Sequence, residues 1–399
     1  MRRIIIPFLA CTCCFAASSG WTDLLNTKLR DVCPKGIPGT CSAVIGAWSG
    51  GAADTIRNRL IIWGGGHNDY YGNEVYALNV DASPVTLTRL NNPSPPNTSG
   101  RFVTALSDGT PNSRHTYNAL AYLSRSDRLI AFGGVPASHT GGFSADLWAL
   151  DLENLRWQAL DPVKGASHAQ PKDFHPGVPP VAVYDAHSNL VFLLDGAAGL
   201  LWSYSYAGNT YKYLSRAAAI PGNATPVLDP KRNMVFFFGN NTTGPGDATK
   251  SHGRPNVYAL KLSGGHGVTN LTKRSSGCDA LAGAYNPGVA YDSALDKIVG
   301  WPNFGNTVYL FDPATYSCTA RAFSGGPPDS TDFYGKAYTT GTFGRFQYFP
   351  ALDVFAVVNS WNTDAYLLKI GSDTGALDPA SIQVAPPTGI FHGSNEVIQ

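Results

Sequence analysis

A histidine stands at the tip of a glycine turn in the run Trp63-Gly-Gly-Gly-His67-Asn-Asp-Tyr-Tyr-Gly-Asn73. Imidazole is the side chain whose ordinary pKa lies nearest neutrality, so His67 on a rigid turn is suited to take or give a proton. A second cluster reads Arg114-His115-Thr116-Tyr117. Alternation along a strand points His115 and Tyr117 one way and Arg114 the other. Arg345, inside Gly341-Thr-Phe-Gly-Arg-Phe-Gln-Tyr348, offers a planar guanidinium suited to a carboxylate or sulfate. His67, His115, Tyr117 and Arg345 therefore form a candidate catalytic set of base, acid and cation. Asn68, Tyr70, Arg114, His175, Asn303 and Trp361 are the expected substrate contacts, and no metal ligand is assigned. Each has an ordinary reading too: a histidine bonded to a neighbouring loop, an inter-blade ion pair, an aromatic packing the rim.

The elements that must position these residues recur along the chain. Leu60-Ile61-Ile62 precedes the His67 turn and Val75-Tyr76-Ala77-Leu78 follows it, so the unit is strand, turn, strand. The outline returns at Leu129-Ile-Ala-Phe-Gly-Gly134 with Asp146-Leu-Trp-Ala-Leu-Asp151, and further copies start near Val181, Pro226, Gly288 and Arg345. Six copies align. Short strands in fours, at roughly 45 to 65 residues, have the spacing of propeller blades. The fold expected is all-β: a β-propeller of four-stranded antiparallel blades, six visible, with room for a seventh in residues 19–41 joined to the tail after residue 371. Residues 21–399 are expected to form one domain, without a convincing helix.

In such a ring the turn between a blade's second and third strands shares a mouth with the entry to its first strand. Sorted by this rule, five of the nine histidines fall on one mouth: His67, His115, His139, His175 and His252. The other mouth collects ordinary polar turns, such as residues 57–59 and 124–128. The asymmetry argues for a site at the first mouth.

Composition sets the context. Arg2 and Arg3, an apolar run to Ala17 and then small residues read as a signal peptide over residues 1–20, too short to span a bilayer. Cys11 as a lipoprotein acceptor is the minority alternative. A secreted or periplasmic protein without a membrane span is expected. Cys33, Cys41, Cys278 and Cys318 remain, an even number in an oxidising compartment, and the expected pairs are Cys33 with Cys41 and Cys278 with Cys318. Charged residues make up 14% of the chain and the formal net charge is +1, which gives no footprint for nucleic acid. No nucleophile elbow, phosphate-binding glycine loop or aspartate-box repeat appears. A copper radical oxidase would need a free cysteine beside a tyrosine, and the cysteines read as paired.

The Gly-Gly strand ends and Trp157 resemble kelch repeats. The run Gly64-Gly-Gly-His-Asn-Asp-Tyr70, then Gly72-Asn-Glu-Val-Tyr76 and Ser113-Arg-His-Thr-Tyr117, resembles secreted kelch-like propellers and, among characterised enzymes, the propeller-type ulvan lyases. That resemblance implies seven blades, no organic cofactor, and β-elimination of a sulfated uronic-acid polysaccharide by two histidines, a tyrosine and an arginine. His67 and His115 match the histidines; Tyr117 or Tyr184, and Arg114 or Arg345, are the choices for the others. The function expected is thus a polysaccharide lyase acting on a uronic-acid-containing glycan. The alternative is a non-catalytic propeller that binds a glycan or protein. A metal-dependent hydrolase using His67, His115 and His175 is a weaker third. No cofactor is expected, a structural Ca²⁺ or Zn²⁺ being the one metal role left open, and the protein is expected to be a monomer.

Overall fold

A sheet with two apolar faces must be covered on both, and stacking sheets side by side around a ring achieves this without a separate core. The computed structural model has that arrangement and describes residues 19–160, 163–164, 180–195, 199–216, 220, 224–240, 255–328 and 340–371. Six antiparallel blades of four strands surround one axis. The first comprises Gly50–Asp54, Arg59–Trp63, Tyr76–Asn79 and Thr86–Arg89, from the axis outward. The remaining innermost strands are Leu120–Leu123, Pro180–Asp185, Thr225–Asp229, Gly288–Asp292 and Phe346–Phe349. Each packs beside the next, and the last packs back on Gly50–Asp54. The second blade also carries the two-residue strand Arg114–His115, paired with the end of Arg128–Pro136.

The ring is closed by a strand from the other end of the described chain. Gly20–Leu24 pairs antiparallel with Ala365–Lys369 and becomes the outer strand of the sixth blade, with Gly20 opposite Lys369 and Leu24 opposite Ala365. Residues 20–24 therefore complete a blade already counted instead of starting a seventh. The ring has six blades, one fewer than the lyase resemblance implies.

Apolar side chains meet between blades. Trp63, Val75 and Ala77 of the first pack on Leu129, Ala131, Trp148 and Leu150 of the second. Trp301 and Val308 of the fifth pack on Phe346 and Phe355 of the sixth. Each such side chain stabilises the ring by roughly 1.5–3 kcal/mol relative to an exposed one. Both expected disulfides are present, Cys33–Cys41 and Cys278–Cys318. The described helices, among them the single turns Ala43–Gly46 and Asp279–Ala282, include none long and apolar enough to cross a membrane.

Candidate active site

The glycine turn does two jobs. Gly65 and Gly66 sit at φ 131° and 83°, where a side chain strains the backbone. A Cβ on Gly66 would stand 2.3 Å from Arg114 Cα, so the turn lies directly on the strand Arg114–His115 of the next blade. His67 follows at φ 45° and is tied to that blade through its own backbone. Its carbonyl accepts from Ser138 N at 2.9 Å, and its N–H donates to Val135 O at 3.4 Å. The side chain is left half-buried, with no hydrogen bond to any described residue, beside Gly141. The result is that the His67 and His115 rings stand 5.8 Å apart at one mouth.

His115 is held differently. It is 5% exposed, its Nε2 lies 2.8 Å from Asp69 Oδ2, and Trp48 covers its ring at 5.1 Å between centroids. Burial pushes its pKa below the ordinary value and the charge of His67 adds to this, against the opposing pull of Asp69. The His115 ring is thus neutral at neutral pH, donating Nε2–H to Asp69. Tyr117 lies 6.0 Å from His115, stacks on Phe143 at 5.8 Å and meets Phe343 edge-on at 6.0 Å. Its backbone sits at φ 50°, and its N–H donates to Trp48 O at 2.7 Å. The hydroxyl makes no hydrogen bond to a described residue. Burial, reinforced by Tyr285 and Asp69, raises its pKa above the usual tyrosine range, so it remains a proton donor.

Beneath these rings the axis is bridged. Asn118 Nδ2 reaches Asn286 Oδ1 at 3.5 Å, joining the second blade to the fifth, which faces it across the ring. Thr342 N donates to Asn286 O at 2.8 Å, and a Cβ on Gly50 would meet Tyr117 O at 2.4 Å. Backbone entries of four blades converge there. These contacts close the axis at the level where the four entries meet.

The remaining expected residues are placed otherwise. Arg345 is 1% exposed. It donates to Val358 O at 2.9 Å, to Gly341 O and Asn359 Oδ1 at 3.0 Å, and to Ser49 O. It stitches the sixth blade to the first, and the mouth does not see its guanidinium. Burial lowers its pKa, since it has no anionic partner among the described residues. Arg114 is also fully buried: it pairs with Asp146 at 2.7 Å and donates to Thr104 O, Asn112 O and Gly133 O. Tyr70 donates to buried Glu74 at 2.8 Å, and Asn303 bridges Tyr285 O and the Thr342 hydroxyl. Both are structural links. Trp361 packs on the interface beneath the first and sixth blades, and Tyr184 bonds Asn189 at the opposite mouth. Asn68 is exposed; its Oδ1 accepts from the Tyr71 hydroxyl at 3.3 Å, which leaves Nδ2 facing solvent. His139 is exposed and edge-on to Tyr71, while His168, His175 and His252 lie outside the described residues. Among the described residues no three His, Cys, Asp or Glu side chains converge as a metal-binding group.

Sequence reasoning did not single out Asp69 as the partner of His115, nor Trp48 as the aromatic cover of His115 and Phe143 as that of Tyr117. Asp69 lies two residues beyond His67, so its presence on the same turn was the available signal. Trp48 stands two residues before the first inner strand, the equivalent of Asn286 in the fifth blade.

No protein-family model matches the chain. No curated protein matches it either. Among solved structures the chain is similar to one described as "Structure of YjhT", at 12% identity over 82% of this chain and 95% of that one, with a TM-score of 0.47.

Proposed function

We propose that the His67 mouth is an acid–base site that cleaves a uronic-acid-containing glycan by β-elimination. The observation that carries this reading is the His67 ring, with no hydrogen bond to a described residue, beside a buried, Asp69-held His115, which also lies 6.0 Å from the Tyr117 ring, whose hydroxyl has no described partner. Elimination breaks C5–H and C4–O4 and forms the C4=C5 double bond, so it needs a base, an acid and a neutraliser for the carboxylate. His67 takes the C5 proton. Tyr117 returns a proton to O4. His115, neutral and fixed by Asp69, holds the two apart and keeps a second positive charge away from the base. With Arg114 and Arg345 committed to internal acceptors, the solvent-facing Asn68 amide is the donor on this turn that meets the carboxylate. The likeness of the His67 and His115 motifs to propeller-type ulvan lyases supports the reaction class, and the two disulfides suit an exported protein.

The test is to incubate the purified protein with a panel of acidic polysaccharides, ulvan included, and follow the near-ultraviolet absorbance of the unsaturated product. Signal from one of them, lost in His67→Ala, is expected. Silence across every uronic-acid glycan would remove the proposal.

One observation favours a second reading, a propeller that binds a glycan without cleaving it: neither arginine reaches the mouth, whereas half-buried Trp48 and Phe143 do. In that case Phe143→Ala loses binding in calorimetry and His67→Ala keeps it.

A further inference from the structure

We infer that the Cys33–Cys41 disulfide is a redox-dependent brace for the Asp69–His115 pair, so that opening it slackens the site while the ring stays folded. The inference rests on the acid–base reading of the His67 mouth and adds a regulatory element to it. The two cysteines are eight positions apart and close a short loop. That loop grips the backbone from the Asp69 carbonyl to Tyr71. Thr40 N donates to Asp69 O at 2.9 Å, Tyr71 N donates to Pro38 O at 3.1 Å, and Gly39 bridges Tyr70 as an isolated β-pair. The approach is close enough that a Cβ on Gly39 would lie 2.2 Å from Asp69 O. On its other side Asp69 is fixed by its own N–H to Gly66 O at 3.0 Å. The carboxylate that holds His115 therefore sits on a backbone clamped between the glycine turn and the disulfide loop.

The two disulfides differ in access. Cys33 and Cys41 are both half-buried, whereas in the second bridge Cys278 is 3% exposed within the core of the fourth and fifth blades and only Cys318 is half-buried. The first bridge thus offers a small dithiol two reachable sulfurs and the second only one, and a limiting dithiol opens the first preferentially. Opening it transfers two electrons and two protons from the dithiol, which becomes a cyclic disulfide, and leaves two thiols on the protein. The freed loop regains backbone entropy, and the hydrogen bonds from Thr40 and to Pro38 lose their fixed geometry.

The experiment uses the whole protein under a limiting dithiothreitol titration, with alkylation and mass spectrometry reporting which cysteines have opened. Two readouts are followed: the NMR titration of the His115 imidazole and the elimination rate. The charged and titratable groups set against His115 are Asp69, which raises its pKa, and His67, which lowers it. Selective opening is expected to shift the His115 titration further down as Asp69 withdraws. The elimination rate should drop about tenfold to a hundredfold, the scale of a misplaced catalytic group, with the circular dichroism of the ring unchanged. Gly39→Ala, with the disulfide intact, pushes on Asp69 from the same side and should shift His115 in the same direction. An unmoved His115 titration in either arm overturns the brace, and so does global unfolding on selective opening. If the oxidised protein cleaves no glycan, the proposed function fails, and the His115 titration still decides the brace.

Discussion

The two mouths of the ring use the same backbone conformation with opposite kinds of residue. At the hairpin mouth, where each blade's first strand turns into its second, the left-handed positions are Asn58, Asp127, Asn189, Asn233, Asp296 and Asp353. Asparagine and aspartate adopt this region most readily of the residues that carry a Cβ. Their side chains are then used up locally: Tyr122, Tyr184, Tyr291 and Tyr348 donate to Asp127, Asn189, Asp296 and Asp353, each five residues on. Arg57 and Arg232 tie neighbouring blades together through Asp127 and Asp296. At the opposite mouth the left-handed positions include Trp48, His67, Tyr117 and Phe343. Bulky residues reach that region only with strain, which persists where the surrounding structure over-determines it. The first-to-second turns satisfy most of their polar groups locally; the His67 mouth holds rings in a costly conformation and leaves the His67 imidazole and Tyr117 hydroxyl without a hydrogen bond to a described residue. Strain and unmet hydrogen-bonding capacity coincide at the place where the acid–base set lies.

The sharpest way to separate the mouths is to remove one side chain from each. His67→Ala is expected to lower the elimination rate by about 10²- to 10⁴-fold, the usual weight of a general base, with the thermal midpoint little changed because its half-buried ring makes no hydrogen bond to a described residue. A His67→Ala protein as active as the wild type would erase the functional difference between the mouths. Asp127→Ala is expected to do the reverse. It removes the acceptor of Tyr122 and leaves Arg57 only Asp54, and should lower stability by about 1–3 kcal/mol in denaturant unfolding, with the elimination rate of the folded protein intact.

The blades were legible because each strand carries its own pattern: an apolar run ending in Gly or Asn is readable without neighbours. Ring closure was not, since the pairing of residues 20–24 with 365–369 spans the whole chain and no local pattern marks it. The nearness of His67 and His115 followed from the mouth rule and from glycines that can lie against a neighbouring strand. Strand alternation did set Arg114 opposite His115, but neither its burial nor that of Arg345 could follow from it. Both stand at strand entries, where the decisive facts are the acceptors that converge on them: Gly133 O and Asp146 of its own blade for Arg114, and Val358 O and Asn359 of its own blade with Ser49 O of the neighbouring one for Arg345. Asp69 was on the page as a carboxylate near His67; its grip on His115 depends on the φ values of Gly65 and Gly66, which fix where the turn aims it.

The mouths should also lose stability in different pH windows. His115 has its folded pKa pushed down by burial, so its unfolded state binds the proton first. Stability from this group is fully present above the ordinary value of 6.5 and is lost as pH falls from there through the folded pKa. Asp127 has its carboxyl held down chiefly by the Arg57 hydrogen bond, so its contribution is kept above the ordinary 3.8 and lost only on further acidification. Denaturant unfolding at a series of pH values should show a first decline just below 6.5 that vanishes in His115→Gln, and a later one that shrinks in Asp127→Ala without vanishing, because Asp185, Asp296 and Asp312 are held down as well. A first decline that survives in His115→Gln would mean that the buried ring is not its source.

The smallest effect tests the strain itself. A non-glycine residue in the left-handed region costs about 1–2 kcal/mol, and glycine gives back roughly 0.5–1 kcal/mol through its freer unfolded chain. His67→Gly should therefore leave the protein unchanged to about 1 kcal/mol more stable than His67→Ala, which keeps the Cβ and the strain. At Asp127, also left-handed at φ 53°, the glycine variant should likewise match or exceed the alanine variant, but both should fall below the wild type, because both lose the carboxylate and aspartate was already at ease there. If His67→Gly proves the less stable of its pair, the backbone at that turn is relaxed, and the case for a strained mouth must rest on Trp48, Tyr117 and Phe343 alone.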